Sequence, residues 1–267
     1  MTKRPYALTI AGNEATGGAG AQADLKTFQA LGVYGSLALT CIVSFDPKND
    51  WAHRFVPVDA QTVHDQLEVV HATYNLDAVK IGMLGTVPTI ETVARFLEEH
   101  TPKNLVLDPV LICKGQEPGA ALDIDNALKE KILPLATFVT PNHFESMSLS
   151  GMDSITTVKE LEQAARIIHE KSGATVLAKG SIRLEGDNAV DVYYDGNTLE
   201  VLETPKIDDG AVVAGAGCTL AAAITGYLAQ GKTPLEAAQQ AKKFVSAGIA
   251  ERVRSNAPFD ALYQINQ

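Results

Sequence analysis

The sequence predicts an α/β fold, a three-layer sandwich in which a mainly parallel central sheet is covered by helices on both faces and carries one antiparallel hairpin. Three observations carry that prediction. Short, β-rich apolar runs alternate with amphipathic segments along the chain. No Pro/Ser-rich linker, charge block, low-complexity tract or solenoid-period repeat divides the 267 residues, which read as a single domain, 1–267. The chemically distinctive residues fall at predicted strand ends, where ligands sit in open parallel sheets: Gly12-Asn13-Glu14, Phe45-Asp46, Gly82-Met83, Asp108-Pro109 and Asn142.

Each element has a local reason. Residues 6–11 form an apolar strand; a Gly-rich turn leads to a helix over 20–31, which Gly32 ends as a C-terminal cap. Residues 36–44 are a second apolar strand, 61–73 a helix and 78–83 a strand. Over 87–99, Ile90, Val93, Ala94 and Leu97 recur at helical spacing. A strand over 104–107 stops at Asp108-Pro109, a helix covers 124–132, and a strand over 137–140 stops at Pro141-Asn142. The helix over 158–171 is capped by Gly173 and followed by a strand over 175–178. Residues 190–194 and 198–202, joined by Asp195-Gly196-Asn197, make the hairpin. Helices over 218–229 and 235–253 close the chain.

Composition narrows the function classes. Hydrophobic residues are 46% and charged residues 20%, enough apolar material for a large core. The net charge of −10 argues against a nucleic-acid partner, which would require a basic face. Phosphates can still bind locally, at a donor-rich loop. Three cysteines, Cys41, Cys113 and Cys218, lie far apart without a CxxC, so neither a disulfide framework nor a zinc site is expected. The first residues lack the apolar core of a signal peptide, and no run is long enough to cross a membrane. A cytoplasmic, reduced protein is expected, with small-molecule partners and no membrane.

The segment Gly215-Ala216-Gly217-Cys218-Thr219 precedes a run of helix formers. The first N–H groups of a helix carry partial positive charge, and small residues let an anion approach them. The stretch therefore reads as an anion hole for a migrating phosphoryl group. The same positive end is expected to lower the Cys218 thiol pKa, so that a thiolate takes a proton from a hydroxyl or traps an aldehyde. The plain structural alternative is a tight turn with an inert cysteine.

The residues that flank it weigh against that alternative. The opening Ala7-Leu8-Thr9-Ile10-Ala11-Gly12, followed by Gly17-Gly18-Ala19-Gly20-Ala21-Gln22-Ala23-Asp24-Leu25-Lys26, resembles the start of hydroxymethylpyrimidine kinases and their pyridoxal kinase relatives in the ribokinase superfamily. Lys80-Ile81-Gly82-Met83-Leu84, Asp108-Pro109-Val110, Thr140-Pro141-Asn142 with Glu145, and Gly215-Ala216-Gly217-Cys218-Thr219 follow in the family's order. The resemblance implies a ribokinase-like kinase that moves the γ-phosphoryl of ATP, with Mg²⁺, to a hydroxymethyl group on a small aromatic ring. Val43-Ser44-Phe45-Asp46-Pro47 with Trp51 and His53, and Val110-Leu111-Ile112-Cys113-Lys114-Gly115, are similar to the two-cysteine pyridoxal kinases of Gram-positive bacteria. The pyridoxal, pyridoxine or pyridoxamine 5′-hydroxyl is then the expected acceptor. A hydroxymethylpyrimidine kinase of thiamin synthesis is the second reading, and a non-catalytic vitamin-binding protein the third.

The resemblance also implies roles. Gly215, Ala216, Gly217 and Cys218 would form the anion hole, with Cys218 as base and Cys113 in a lid that closes over the site. Gly12, Asn13, Phe45, His53 and Met83 would hold the ring, and Lys114 in the lid would neutralise phosphate on closure. Lys179 or Arg183, with Gly217 and Asn142, would meet ATP; Asp108 and Glu145 would organise Mg²⁺ through water. Asn142 and Glu145 also have the spacing of a helix capping box, and Asp108 that of a turn residue. Trp51 and Phe55 are expected as core or rim packing and Cys41 as core. A homodimer is expected from the family. The chain departs from its pattern at Asn13-Glu14-Ala15, where Ser-Asp-Ser is usual, at Ala214 in place of a His, and after Ser255, where a Gly-Pro ending is usual.

Overall fold

The computed structural model describes residues 4–111, 118–207 and 209–265; the expected lid residues Cys113 and Lys114 lie outside them. The strands of its central sheet are β1 (Tyr6–Glu14), β2 (Tyr34–Asp46), β3 (Ala52–Pro57), β4 (Ala78–Ile81), β5 (Leu105–Leu107), β6 (Phe138–Val139), β7 (Thr175–Ser181), β8 (Asn188–Tyr194) and β9 (Leu199–Pro205). They lie in the order β3-β2-β1-β4-β5-β6-β7-β8-β9. From β2 to β7 every pair is parallel, whereas β3 on one edge and β8 and β9 on the other run antiparallel. The chain builds outward from β1 to one side and from β4 to the other, so the topological switch point lies between these two strands.

Eight helices cover the sheet among the described residues: α1 (Gly20–Ala30), α2 (Ala60–Thr73), α3 (Val87–His100), α4 (Pro118–Lys131), α5 (His143–Ser150), α6 (Val158–Ser172), α7 (Ala216–Ala229) and α8 (Pro234–Ala250). Two apolar cores follow. One joins α1, α7 and α8 to a sheet face through Phe28, Leu31, Leu220, Ile224, Ala241 and Phe244. The other joins α2, α3, α4 and α6 to the opposite face through Leu67, Ile90, Leu97, Leu128, Leu161 and Ile168. Helix α7 is buried over Thr219–Gly226, because it lies between α1, α8 and the sheet. Caps set the boundaries: Thr157 with Glu160 and Thr233 with Glu236 form capping boxes at α6 and α8, and Gly173 ends α6 at φ 73°.

The predicted alternation matches the architecture, with instructive differences. Helix α4 starts at Pro118, ahead of the expected 124. The edge strand β3 is largely exposed and too polar to show an apolar run. The Asn142–Glu145 spacing opens a complete short helix, α5. A parallel ribbon of β10 (Val213–Ala214) and β11 (Asp260–Ala261) ties the residues ahead of Gly215 to the C-terminal segment.

Candidate functional site

Two cavities open at the carboxyl ends of the parallel strands. The first, about 480 Å³, lies over the switch point and is lined by Gly12, Asn13, Phe45, His53, Met83 and Lys80, together with Trp51 and Phe259. Its rings are mutually packed: Phe45 meets His53 edge-on at 4.8 Å between centroids and Phe259 at 5.2 Å. Register explains the floor. The β1–β2 pairing shifts between Ala11 and Asn13, so that Gly12 faces two residues of β2, Thr40 and Cys41, in a bulge on that strand. A Cβ on Gly12 would fall 2.3 Å from the sulfur of the buried Cys41, so the glycine lets that sulfur pack directly beneath the cavity floor. Trp51 lines this cavity rather than only packing at a rim, a correction to the expectation, since the β2–β3 hairpin folds back over the strand ends.

The second cavity, about 640 Å³, is polar. It gathers Asp108, Asn142, Glu145, Lys179, Arg183 and the Gly215–Gly217 backbone. Lys179 reaches across β6 to Asp108, with Nζ 3.2 Å from Oδ1. Arg183 is exposed at the rim, whereas Lys179 is buried beside Gly217, whose missing Cβ would lie 3.5 Å from Nζ. The capping box at α5 is complete: Asn142 Oδ1 accepts from Glu145 N–H, and Glu145 Oε2 accepts from Asn142 N–H. Burial lifts the Glu145 carboxyl to about 7; Lys179 opposes the rise and Asp108 adds to it.

Cys218 lines both cavities and, with Val110, forms their border. Gly215, the N-cap of α7, has no side chain to satisfy the first-turn N–H groups. Thr219 N–H turns back to the Gly215 carbonyl, leaving the amides of residues 216–218 for an outside acceptor. The glycines here answer a second demand besides anion access. Gly215 has φ +85°, and a Cβ on it would lie 1.8 Å from the Gly18 carbonyl oxygen. Gly20 N–H donates to the Cys218 sulfur at 3.4 Å. The loop after β1 and the start of α7 are thus pressed together.

The expected lowering of the Cys218 thiol does not occur. Burial pushes it up to about 11; the Lys80 ammonium pulls down, Asp108 and Asp24 push up, and Gly20 N–H pulls down. The residue is half-buried by surface because it borders two cavities, yet the surrounding protein removes most of the water that would stabilise a thiolate.

Three features were not anticipated. Lys80 Nζ lies 2.8 Å from Asp24 Oδ2, both fully buried, and Thr9 Oγ1 donates to the same oxygen at 2.6 Å. Burial opposes the Lys80 charge, but Asp24, Cys218 and Asp108 together raise its pKa. The second is a Lys242–Asp191 pair at 2.8 Å that lines the polar cavity. The third is Phe259, brought to the first cavity by the β10–β11 ribbon. A lysine inside the apolar strand AVKI was the available signal for the first, since charges are rarely buried unpaired.

Comparison with known proteins agrees with this geometry. Residues 14–261 match the phosphomethylpyrimidine kinase family. A pyridoxine kinase of Bacillus subtilis (strain 168) is 47% identical over 245 residues, 92% of this chain and 90% of its own. The ADP complex of Bacillus subtilis pyridoxal kinase superposes with a TM-score of 0.91 at 45% identity, covering 98% of both chains. The Staphylococcus aureus pyridoxal kinase in complex with AMP-PCP and pyridoxal gives 0.89 at 39% identity, covering 98% of this chain and 94% of that one. A sequence match over most of its length, on a ribokinase-like α/β architecture, makes this chain a member of the phosphomethylpyrimidine kinase family.

Proposed function

We propose that the protein is an ATP-dependent pyridoxal kinase that phosphorylates the 5′-hydroxymethyl group of pyridoxal, pyridoxine or pyridoxamine. The observation that carries this reading is the border at Cys218: an apolar, ring-lined cavity on one side, and on the other an amide-rich cavity where Lys179, Arg183 and Lys242 stand among Asp108, Glu145 and Asp191. A vitamin ring in the first directs its hydroxymethyl group at the border. A triphosphate in the second places its terminal phosphoryl group at the amides of residues 216–218, with Lys179 beside them and Arg183 at the rim. Transfer of this kind needs positioning and charge stabilisation above all. Cys218 is the titratable group common to both cavities among the described residues and accepts the hydroxyl proton in this reading. Lys80 and Gly20 N–H favour the thiolate that this requires.

The donor set fits a hydrated Mg²⁺. Asp108 Oδ1 is engaged by Lys179, while Oδ2 lies toward the space over Gly217, 3.9 Å from where a Cβ would stand. Glu145 faces the same cavity. Mg²⁺ keeps much of its water and needs only one or two carboxylates from the protein. When bound, the ion neutralises charge on the phosphoryl oxygens; Asp108 and Glu145 would hold it. A single kinase domain, a cytoplasmic location and a homodimer belong to the same reading. No helix among the described residues is long and apolar enough to cross a membrane. Exposed Ile42 and Val56 on the β2–β3 edge offer apolar surface for a second copy.

A substrate panel with coupled ADP detection tests the reading. Pyridoxal should be phosphorylated in the presence of ATP and Mg²⁺. Turnover of hydroxymethylpyrimidine alone would replace it with the pyrimidine kinase, and tight binding of pyridoxal without turnover with the vitamin-binding protein.

A further inference from the structure

The β2–β3 hairpin turns through Asn49-Asp50-Trp51-Ala52, closed by Ala52 N–H donating to the Asn49 carbonyl at 2.9 Å. Both central residues have positive φ, Asp50 at 45° and Trp51 at 55°. This is the pattern of a type I′ turn, in which glycine or asparagine normally occupies those positions. A tryptophan there is disfavoured, because its Cβ crowds the backbone in the left-handed region. Nothing in the hairpin register demands it: a glycine would close the same turn at less conformational cost. Such outliers persist where surrounding contacts hold them, and they concentrate at ligand sites.

The indole points into the apolar cavity. It meets Phe259 nearly edge-on at 5.8 Å and Phe45 at 6.5 Å between centroids. Phe259 comes from the segment just before β11, which pairs with β10 ahead of Gly215. Trp51 therefore joins the hairpin to the C-terminal segment at the cavity wall, and stays half-buried with surface to offer an occupant.

We infer that Trp51 is a specificity-determining residue that covers the substrate ring, and that the strained turn is kept because it delivers the indole to the cavity. The inference rests on the kinase reading and adds to it a side chain that selects the ring. Aromatic faces favour flat, offset-stacked or edge-on partners.

Trp51 is the sole tryptophan of the chain, so its own fluorescence reports the site. In the intact protein, pyridoxal should shield the indole from acrylamide quenching, whereas ATP with Mg²⁺ should leave quenching unchanged. W51A and W51G should each raise KM for pyridoxal about tenfold, the worth of one aromatic contact, with KM for ATP unmoved; W51F should recover most of the loss. The two small variants lack the same ring and differ only in tolerance of positive φ, so W51G should melt above W51A. Equal pyridoxal KM in W51A, W51G and native protein, or unchanged quenching with pyridoxal bound, would overturn the ring-covering role while leaving pyridoxal turnover intact. A W51A that melts as high as W51G would overturn the strain. Absence of pyridoxal turnover in the native protein would instead reject the kinase reading itself.

Discussion

The two cavities that meet at Cys218 are built by opposite means. The first is made of packed rings over Gly12, and its one buried cation, Lys80, is tied to the buried Asp24. The second is made of charges that face the open space: Lys179 on Asp108, Lys242 on Asp191, and Glu145. Lys80 is 1% exposed and Lys179 11%, although each pairs with one aspartate. A pair sealed from water acts mainly on what it touches, whereas a pair that lines a cleft can exchange its partner for a ligand. The first side thus stands ready as a shape and the second as a set of charges, and Cys218 is subject to both.

The largest expected effect tests whether Cys218 joins the two sides. C218A should lower kcat by ~10²–10⁴-fold with little change in KM for ATP, the range for loss of a general base. Because burial holds the thiol near 11, the fraction of thiolate grows throughout the neutral and mildly alkaline range. The native kcat should therefore climb with pH between about 7 and 10, and the C218A profile should be flat. A native profile that is flat over the same range would remove the base role.

Next in size is the contrast between the lysines. K80M leaves the buried Asp24 carboxylate without its cation, and should destabilise the fold by about 3–5 kcal/mol in urea melts. The neutral double variant D24N/K80M should recover most of that. K179M should cost less stability, since Asp108 stays in contact with cleft water, and should weaken ATP use instead. Equal destabilisation by K80M and K179M would erase the distinction between sealed and open pairs.

A smaller effect separates stability from function on the polar side. Glu145 is lifted to about 7 from an ordinary 4.5. Below about 4.5 both folded and unfolded chains hold the proton. Between about 4.5 and 7 the unfolded chain releases it first, so stability falls as pH rises, by roughly 2–4 kcal/mol in all. E145Q keeps an oxygen for the Asn142 N–H and removes the titration. It should melt above the native protein at pH 8 and converge with it near pH 4, while losing activity.

Much of this arrangement could be read in advance, and the failures share a cause. Alternating apolar runs disclosed the parallel strands because their periodicity is local; the NxxE and DP motifs fell at the ends of central strands and GAGC at the start of α7, as read. What escaped depends on residues far apart in sequence. The Lys80–Asp24 contact joins two positions 56 residues apart. The Cys218 thiol was expected low from its place at a helix start, a local property, and is raised by burial, a tertiary one. Gly215 was read as room for an anion, yet its first constraint is the Gly18 carbonyl against it. Trp51 looked like packing, because positive φ at Asp50 and Trp51 leaves no mark in a turn without glycine.

The smallest expected effect bears on the apolar side alone. Phe45, the penultimate residue of β2, is half-buried between His53 and Phe259. F45Q removes one ring from the cavity and adds an amide that can both donate to and accept from an aminopyrimidine. The ratio of kcat/KM for hydroxymethylpyrimidine to that for pyridoxal should rise about tenfold, the worth of one ring contact or hydrogen bond. KM for ATP should not follow, because the substitution lies across the Cys218 border from the charged cavity. An unchanged ratio would mean that ring preference is set elsewhere in the cavity, and Trp51 and Met83 would become the positions to exchange. A rise in both substrates' KM together with that of ATP would show that the two cavities do not act separately.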